Sequence, residues 1–518
     1  MNRYPAQVVW FKRDLRTEDH APLAAACAAG PVVPLYVIEP GLWRQPDSAQ
    51  RHWDFIAESL EALACELASL GLPLCVVLAE MREVLPRLAA TLGPFVLRSH
   101  QETGSAWTFE RDRQVAAWCE VHAIPWHQAR QQGVVRGLGH RRGWVAQWEA
   151  FMQERMSSPR PAQPAQGWDA LPLLTSDDWR GLQLGDGRHP CPGRQRGGRP
   201  AGLATWQSFL EGRGARFHRD IGYPEPAQRS GSRLSPHLAW GTLSLREVVQ
   251  SLRRVRHERN ASAEWTAALS ALSSRLYWHC HFMQKLESEP DLEHRALHPA
   301  LHGIRQTPHP GRLAAWCEGR TGVPLVDACM MSLRETGWLN FRMRAMLISF
   351  ATFGLGLPWR EPALHLARLF VDYEPGIHYP QVQMQSGLTG TNALRVYNPL
   401  KQARERDPQG AFVASWLPAL ADLPSAWRQR PWALPAAQRR ALDFEPGRDY
   451  PLPVHDFEVE SRHWKQAIQA ARRTPQARRH SAELLDRLAS RRGSSSRSDR
   501  RAPSPQLSLF ADPDKEPS

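Results

Sequence analysis

Short apolar runs alternate with helical stretches over the first 130 residues, and this alternation restricts the fold more than any other feature of the chain. Five runs rich in β-branched residues read as strands, at 8–11, 32–38, 74–78, 95–98 and 124–127. Stretches of helical periodicity lie between them, at 52–70 and 108–121. Continuous apolar strands separated by helices are typical of a parallel sheet covered on both faces. The sequence therefore predicts a doubly wound α/β domain at the N-terminus.

Ligands of doubly wound sheets bind at the carboxyl ends of the strands. The segment VVWFKRDLR at 8–16 places Lys12, Arg13 and Arg16 directly after the first predicted strand. We therefore expect a charged network that lines a cleft at this edge of the sheet.

The remainder of the chain changes character twice. A stretch rich in proline, glycine and arginine at 156–202 has the composition of a surface connection. Nearly every segment after it is helical in period, and the last segment is rich in serine, arginine and proline, as disordered chains are. The predicted organisation is an α/β domain at 1–135, an interdomain linker at 136–203, an all-α domain at 204–488 and a disordered tail at 489–518.

Composition restricts the partners and the compartment. The 518 residues carry a formal net charge of +13, which suits a polyanion such as nucleic acid. Most of the positive charge is arginine, a preference that a GC-rich genome also explains. Only five of the 65 basic residues are lysines: Lys12, Lys285, Lys401, Lys465 and Lys515. The eight cysteines form no C-x-x-C pair, which argues against a zinc or iron–sulfur site and fits a reducing cytosol. With neither an apolar leader nor a membrane-length apolar run, a cytoplasmic protein is expected.

The segment TGVPLVDACMMSLRETGWLNFRMRAMLISF at 321–350 predicts two helices. Pro324 suits a first helical turn, and Gly337 marks the break between the helices. Arg342 and Arg344 lie in the second helix among methionine, leucine and isoleucine. Because arginines in so apolar a helix need anionic partners, the acidic pair of the segment 372–374 is the predicted source of carboxylates.

A second motif, GSRLSPHL at 231–238, predicts a loop that enters a helix. Its glycine, its hydroxyl groups and the amides of a helix start can bind a phosphate group. The same pattern also occurs in an ordinary helix cap, so the residues alone leave both readings open.

Taken together in their order, these motifs resemble the photolyase/cryptochrome family, and HQETGSAWTFERDRQ at 100–114 and YNPLKQARERDPQGAF at 397–412 extend the resemblance. The resemblance implies an all-α domain that binds FAD. It also implies an antenna chromophore, folate or deazaflavin, in the N-terminal domain. The cofactor-binding positions that it implies are Phe217 (where a tyrosine is more usual), Gly231, Ser232, Arg233, Leu234, Ser235, Asn340, Arg344, Asp372 and Glu374.

The resemblance also assigns residues to DNA. Trp278 matches the tryptophan that stacks on a flipped-out pyrimidine dimer in photolyases, although a lone helical tryptophan is more often core. Arg275 lies one turn earlier, where dimer photolyases carry a glutamate that hydrogen-bonds the lesion; arginine cannot accept a hydrogen bond. Phe341 and Arg342 complete the predicted DNA-binding set, and the net charge favours the same partner.

Several positions depart from the family pattern. His378 stands where an asparagine usually faces the reactive flavin nitrogen, and we expect its imidazole to titrate near neutral pH. Of the usual chain of three tryptophans only Trp359 remains, because the other positions carry Val382 and Gln306. Four other aromatic residues are candidate electron relays: Tyr373, Tyr379, Tyr397 and Trp240.

Two functions follow from the resemblance. One is light-driven repair of pyrimidine dimers in damaged DNA by a monomeric enzyme, and the other is light signalling by a cryptochrome without repair activity. A nicotinamide-dependent oxidoreductase is disfavoured, since no G-x-G-x-x-G follows the first strand.

The predicted tail contains the pentapeptide QLSLF, formed by Gln506, Leu507, Ser508, Leu509 and Phe510. Large apolar side chains in a solvated tail have no core to join, and short motifs of this kind bind grooves on partner proteins. The pentapeptide resembles the motif by which bacterial repair proteins bind the DNA sliding clamp. Chance and docking of the tail onto its own domain remain the alternatives.

Overall fold

The computed structural model describes residues 5–258 and 262–488. The tail residues Gln506, Leu507, Leu509 and Phe510 lie outside this range. In the described part of the chain, no helix is long and apolar enough to span a bilayer.

The N-terminal domain is built on one parallel sheet. Its strands are β1 Ala6–Phe11, β2 Val32–Ile38, β3 Cys75–Leu78, β4 Phe95–His100 and β5 Trp126–Ala129. The strand order is β3-β2-β1-β4-β5, with all neighbours parallel. Because β1 lies in the middle and the order reverses beside it, the carboxyl ends of β1, β2 and β4 enclose a crevice. The predicted doubly wound fold is confirmed.

Helices cover both faces of the sheet. They are α1 Ala21–Ala29, α2 Pro40–Trp43, α3 Gln50–Ser69, α4 Met81–Leu92 and α5 Ala106–Val121. Helix α3 buries Trp53, Phe55 and Leu60 against one face of the sheet, while α4 buries Val84 and Leu85 against the other. The sheet therefore has two separate apolar layers.

The segment 136–203 contains helical structure of its own. Its helices are α6 Trp144–Gln153 and α7 Ser176–Arg180, with a 3-10 turn at Trp168–Ala170 and the start of α8 Arg199–Ser208. Trp144, Trp148 and Phe151 of α6 are buried in the core of the helical domain. Three isolated β-bridges attach 164–186 to the α/β domain. This segment thus packs on both domains.

The rest of the described chain is helical. The α-helices are α9 Phe217–Asp220, α10 Pro226–Ser230, α11 Ser235–Ala239, α12 Leu245–Glu258, α13 Ala263–Ser288, α14 Pro310–Glu318, α15 Pro324–Thr336, α16 Phe341–Ser349, α17 Arg360–Leu369, α18 Pro375–Gln385, α19 Pro399–Arg406, α20 Ala411–Trp416, α21 Ser425–Arg428, α22 Ala436–Leu442, α23 Phe457–Arg472 and α24 Pro475–Leu488. Short 3-10 helices lie at Pro290–Glu293, Pro299–Leu301, Pro418–Leu420 and Pro431–Ala433, and π-helical turns at Phe209–Arg213 and Phe350–Gly354.

Helices α15 and α16 are the pair predicted from 321–350. Pro324 starts α15, and Gly337 caps its end with φ 66°, a left-handed conformation that favours glycine. A side chain at this position would also collide with Val371, because a Cβ there would lie 2.4 Å from Val371 Cγ2. This close approach brings the segment 371–374 against the end of α15 and so positions the acidic residues beside α16.

Candidate functional site

A cavity of about 330 Å³ lies among α9, α11, α13, α16 and α18. Pockets of this size accept cofactor-sized ligands. Thirteen of the predicted site residues line it: Phe217, Ser232, Arg233, Leu234, Ser235, Arg275, Trp278, Asn340, Phe341, Arg344, Asp372, Glu374 and His378. Gly231, Arg342 and Trp359 do not line it. We call this space the helical cavity.

The loop 231–235 is held by contacts that the sequence motif does not reveal. Gly231 is required for packing, since a Cβ there would lie 2.5 Å from the carbonyl oxygen of Ala227. The guanidinium of Arg213 donates hydrogen bonds to the carbonyl oxygens of Gly231, Ser232 and Thr205. These bonds fix the loop, so Ser232 and Ser235 line the cavity from a rigid backbone. Helix α11, which starts here, has only five residues, so its dipole contributes little.

Arg233 brings a positive charge to the same loop. Its backbone is left-handed, with φ 58°. Its guanidinium carbon lies 4.1 Å from the ring centroid of Trp338, and its Nε donates to the amide oxygen of Gln195. Burial lowers the pKa of Arg233 to about 10. None of the salt bridges in the described ranges includes Arg233, so an anionic ligand would supply a missing partner.

Arg344 and Asp372 form a two-pronged ion pair in the cavity wall, as the sequence predicts. The two guanidinium nitrogens lie 3.0 and 2.7 Å from the two carboxylate oxygens. Arg344 Nε also donates to the carbonyl oxygen of Leu339, and the guanidinium stacks on Phe370 at 4.0 Å. This geometry holds the arginine in one orientation, with its charge compensated.

Glu374 is the least satisfied carboxyl group of the cavity. Its Oε2 lies 3.6 Å from a guanidinium nitrogen of Arg13, whereas its Oε1 is buried without a hydrogen-bond partner. Burial raises the pKa of Glu374 to about 7. This carboxyl group therefore holds a proton below that pH.

Two more buried polar atoms of the lining lack partners: Asn340 Oδ1 and His279 Nδ1. Asn340 is oriented by its amide nitrogen, which donates to the carbonyl oxygen of Ile221 at 2.9 Å. Because buried polar groups are nearly always hydrogen-bonded, the cavity fits a ligand with donors and acceptors of its own.

His378 lines the cavity as a neutral imidazole. Its Nε2 lies 2.9 Å from the carbonyl oxygen of Ala363, to which it donates. Burial lowers the pKa of His378 to about 4. The expectation of titration near neutral pH is therefore wrong, because it used the pKa of a solvated imidazole.

Trp278 and Arg275 lie one turn apart on α13. The ring of Trp278 packs on Phe282 and His281, with centroids 5.5 and 4.7 Å apart, and contributes to the cavity wall. Arg275 donates to the carbonyl oxygen of Ala271, and its guanidinium lies 5.3 Å from the ring of Phe217. Burial lowers the pKa of Arg275 to about 10.

Arginines border the cavity where Phe341 is exposed. Arg342 donates to Gln402, and Arg406 stacks on Tyr223 at 5.2 Å. Both arginines approach Gly222, the residue after the cavity-lining Ile221. We call Phe341, Arg342 and Arg406 the basic rim.

Comparisons with known proteins agree with this architecture. Residues 272–470 match the family model for the FAD binding domain of DNA photolyase, and residues 7–138 match the model for DNA photolyase. A deoxyribodipyrimidine photo-lyase of Streptomyces griseus is 31% identical over 472 residues, which cover 87% of this chain and 96% of that enzyme. The chain belongs to the photolyase/cryptochrome family.

Solved members of the family share the fold. A cryptochrome of Synechocystis superposes with a TM-score of 0.78 at 22% identity, over 90% of this chain and 100% of its own. A Sulfolobus tokodaii photolyase with two FAD molecules superposes with a TM-score of 0.72 at 24% identity. The superposition covers 90% of this chain and 100% of that photolyase. The helical cavity thus lies in the FAD-binding domain of a photolyase/cryptochrome. Its volume, Arg233 without a salt bridge in the described ranges, and its unpartnered polar atoms fit FAD.

Trp359, which the resemblance matches to the family's tryptophan chain, does not line the cavity. It is half-buried and packs between the cores around Leu366 and Phe353. Val382, expected where the family carries another member of this tryptophan chain, lines the cavity.

A second, much smaller cavity of about 60 Å³ lies at the carboxyl ends of β1, β2 and β4. Lys12 and Arg13 line it as predicted, whereas Arg16 is buried elsewhere and donates to the carbonyl oxygens of Gly241 and Asp19. Arg111 forms ion pairs with Glu39 and Glu102 of this lining, at 2.9 and 2.6 Å, and a third with Asp112 beside it, at 2.8 Å. We call it the N-terminal cavity. Its enclosed space is much smaller than that of the helical cavity.

The described part of the chain contains one group with metal-ligand spacing: Asp14, His20 and His100. Asp14 Oδ2 accepts from His20 Nε2 at 3.0 Å and from His100 Nδ1 at 2.7 Å. Because the other nitrogen of His20 accepts from the backbone of Leu23, its Nε2 carries the proton. The group is therefore a satisfied hydrogen-bond cluster of a carboxylate and imidazoles.

Proposed function

We propose that this chain is a DNA photolyase that binds FAD in the helical cavity and repairs pyrimidine dimers in damaged DNA as a monomer. The observation that carries the proposal is that Trp278 lines the same cavity as the loop 231–235 and the Arg344–Asp372 pair. Photo-lyase relatives that match over most of this chain support the same reaction.

Reduced FAD supplies an electron to the lesion under blue light, and the chain's own residues bind and orient both. Ser232, Arg233 and Ser235 are proposed to hold the diphosphate, the anion that Arg233 lacks. Gly231 allows the loop 231–235 to pack closely, and Leu234 and Phe217 form an apolar part of the cavity wall. Arg344, fixed by Asp372, stabilises negative charge on the flavin, while Asn340 and Glu374 offer the polar atoms that have no other partner. Because Nε2 of the neutral His378 donates to Ala363, its Nδ1 would accept one hydrogen bond from the ligand without a change of charge.

The lesion is proposed to enter the cavity as a flipped-out dimer and to stack on Trp278. Arg275 would donate to a carbonyl oxygen of the dimer, where other dimer photolyases use a glutamate. A guanidinium close to the dimer would stabilise the negative charge that the dimer gains with the electron, because the guanidinium is positively charged. Phe341 and the arginines of the basic rim would contact the strand, and the phosphates would be neutralised mainly by arginine.

A signalling cryptochrome is the second candidate. Arg275 favours it, as do Val382 and Gln306, which stand where the family resemblance implies tryptophans. The decisive experiment illuminates the purified, FAD-loaded protein with an oligonucleotide that contains one thymine dimer and measures restored thymines. Restoration in blue light but not in darkness supports repair. An FAD-loaded protein that restores none would contradict the repair proposal and favour signalling.

Trp278→Ala tests the assigned lesion contact. Affinity for dimer-containing DNA should fall by about 1–3 kcal/mol, the usual contribution of one base–aromatic stack, while affinity for undamaged DNA stays constant. Trp265→Ala is the matched control, since it removes a partly buried tryptophan of the same helix outside the cavity. Equal losses for both DNAs would show that Trp278 only supports the core.

An antenna chromophore, folate or deazaflavin, is a further proposal for the N-terminal cavity. Its binding would require the Arg111 ion pairs to open, because the present space is small. The Sulfolobus tokodaii photolyase, which holds two FAD molecules with one as a proposed light-harvesting cofactor, supports testing flavins as well. Dialysis of the FAD-loaded protein against each chromophore measures whether a second equivalent binds.

We also propose that the tail motif QLSLF binds the bacterial sliding clamp. Leu507, Leu509 and Phe510 would fill an apolar groove, with Gln506 at its edge. A tail peptide should bind the clamp at roughly micromolar affinity, about −8 kcal/mol. Replacement of Leu509 and Phe510 by alanine should abolish binding, and a scrambled peptide controls for composition. Failure of both peptide and full-length protein to bind the clamp would reject the assignment.

A further inference from the structure

Tyr373 forms part of the wall between the two cavities. Its side chain lines both the helical cavity and the N-terminal cavity, and it is buried. It lies just before α18, and Arg13 of the N-terminal domain donates to its backbone carbonyl oxygen. A ring in this position contacts a ligand of the helical cavity on one side and the N-terminal domain on the other.

The phenol of Tyr373 donates its hydrogen bond to a carboxylate. The acceptor is Oδ2 of Asp47, which is buried and lines the N-terminal cavity. A phenol that loses an electron becomes a strong acid, so its oxidation is easy only where a base accepts the proton at the same time. Asp47 is such a base, already in hydrogen-bond contact.

The neighbouring rings do not oppose oxidation of Tyr373. His52 stacks on it at 5.8 Å and His378 meets it edge-on at 5.3 Å. Burial lowers the pKa of His52 to about 3 and that of His378 to about 4, so both imidazoles are neutral at physiological pH. Neither adds a positive charge that would hold the electron on the phenol.

The other aromatic candidates are less suitable. Trp240 lines only the N-terminal cavity, and the guanidinium of Arg13 lies 4.0 Å from its ring, where a positive charge disfavours loss of an electron. Tyr379, Tyr397 and Trp359 do not line the helical cavity. Tyr373 is the one candidate of these five that combines contact with the cavity and a proton acceptor.

We infer that Tyr373 and Asp47 form a proton-coupled electron donor that reduces photoexcited, oxidised FAD bound in the helical cavity. One electron passes from the phenol to the flavin, and the phenolic proton passes to Asp47 Oδ2, which leaves a neutral tyrosyl radical. A one-electron reductant of the thiolate class then returns an electron to the radical, Asp47 returns the proton, and a thiyl radical is the oxidised product. The inference rests on the proposed binding of FAD and adds the route by which electrons reach the cofactor one at a time, so that full reduction takes two such cycles.

The experiment compares blue-light reduction of FAD in the full-length, FAD-loaded protein and its variants with excess thiol present. The loss of oxidised-flavin absorbance should be at least tenfold slower in Tyr373→Phe, which keeps the ring but has no oxidisable phenol. It should be several-fold slower in Asp47→Asn, which keeps Tyr373 in the wall but removes the base. Deuterated solvent should slow the wild type and leave Tyr373→Phe unaffected.

The chain offers a matched control in Tyr450. Its buried phenol donates to the buried carboxylate of Asp327 in the same way, but it does not line the helical cavity. Tyr450→Phe should therefore reduce FAD at the wild-type rate. Electron paramagnetic resonance of the illuminated wild type should show a tyrosyl radical whose spectrum narrows when ring-deuterated tyrosine is incorporated, and Tyr373→Phe should lose it.

Two results would overturn the inference while leaving FAD binding intact. One is wild-type photoreduction in both Tyr373→Phe and Asp47→Asn, and the other is a tryptophanyl radical in place of the tyrosyl radical. FAD content is measured on every preparation, and a wild type that binds no FAD would reject the proposed function and this inference together. If Tyr373→Phe loses FAD and Asp47→Asn does not, the test rests on Asp47→Asn. Slower photoreduction of FAD in that variant supports the Tyr373–Asp47 donor, and an unchanged rate rejects it.

Discussion

The helical cavity and the N-terminal cavity are both lined by arginines, carboxylates and aromatic rings, yet they differ in how the polar groups are partnered. In the N-terminal cavity, Arg111 is bonded to three carboxylates and Lys12 to Asp112, in a space of about 60 Å³. In the helical cavity, about 330 Å³ remains open, and buried atoms of Asn340, Glu374 and His279 have no partner.

This difference distinguishes a charge network that stabilises the folded protein from a set of polar groups that can bind a ligand. Buried polar groups that satisfy one another stabilise the protein without a third party, whereas unpartnered ones are costly until a ligand arrives. The comparison predicts that substitutions around the N-terminal cavity affect folding, while substitutions around the helical cavity affect FAD binding.

The largest effect is expected from Arg111→Met. The substitution keeps much of the side-chain volume but leaves buried Glu39 without its cation and leaves Glu102 and Asp112 with Lys12 alone. The free energy of unfolding should therefore fall by about 3–5 kcal/mol. Chemical denaturation measures this loss. Arg113→Met is the control on the same helix, because that arginine is exposed and should change stability by less than about 0.5 kcal/mol. Equal stability of both variants would show that the N-terminal network is not structural.

The next effect is a loss of FAD affinity in Asp372→Ala. Arg344 would lose its fixed orientation and its charge compensation, and we expect affinity to fall by about 3 kcal/mol, more than 100-fold. Glu247→Ala is the control, since it breaks the comparable two-pronged pair with Arg199 outside the cavity. Flavin titration well below the unfolding temperature measures both. Undiminished binding by Asp372→Ala would remove this pair from the proposed FAD site.

The sequence predicted the elements better than the contacts between them. Strands β1 to β5 begin and end within about two residues of their predicted positions, because continuous β-branched runs leave few alternatives to a buried strand. The break between α15 and α16 was equally readable, since Gly337 needs a left-handed backbone. These features depend on local chemistry alone.

Features that depend on distant packing could not be predicted. Arg213 holds the loop 231–235 from an earlier π-helical turn, and Arg13 reaches Tyr373 and Glu374 from the other domain. No spacing rule connects such residues. The pKa of His378 was misjudged for the same reason, because only the tertiary structure reveals its burial.

A smaller effect concerns the pH dependence of the apoprotein. Burial raises the folded-state pKa of Glu374 from 4.5 to about 7, so the folded state binds a proton that the unfolded state has lost in this range. Stability should therefore fall by about 2 kcal/mol as the pH rises from about 5 to about 7. Glu374→Gln should remove this part of the slope, as measured by denaturation at several pH values. A slope shared by wild type and variant would show that Glu374 is solvated in the apoprotein.

The smallest effect tests whether DNA approaches the helical cavity through the basic rim. If Arg406 neutralises one phosphate, Arg406→Ala should reduce the dependence of log affinity on log salt concentration by about one unit. Damaged and undamaged DNA should respond equally, because a phosphate contact does not distinguish bases. Arg113→Met again serves as the control, since it removes an exposed arginine of the N-terminal domain and should leave the slope unchanged. An unchanged slope in Arg406→Ala would place the DNA away from this rim and would contradict the proposed contact between the strand and Arg406.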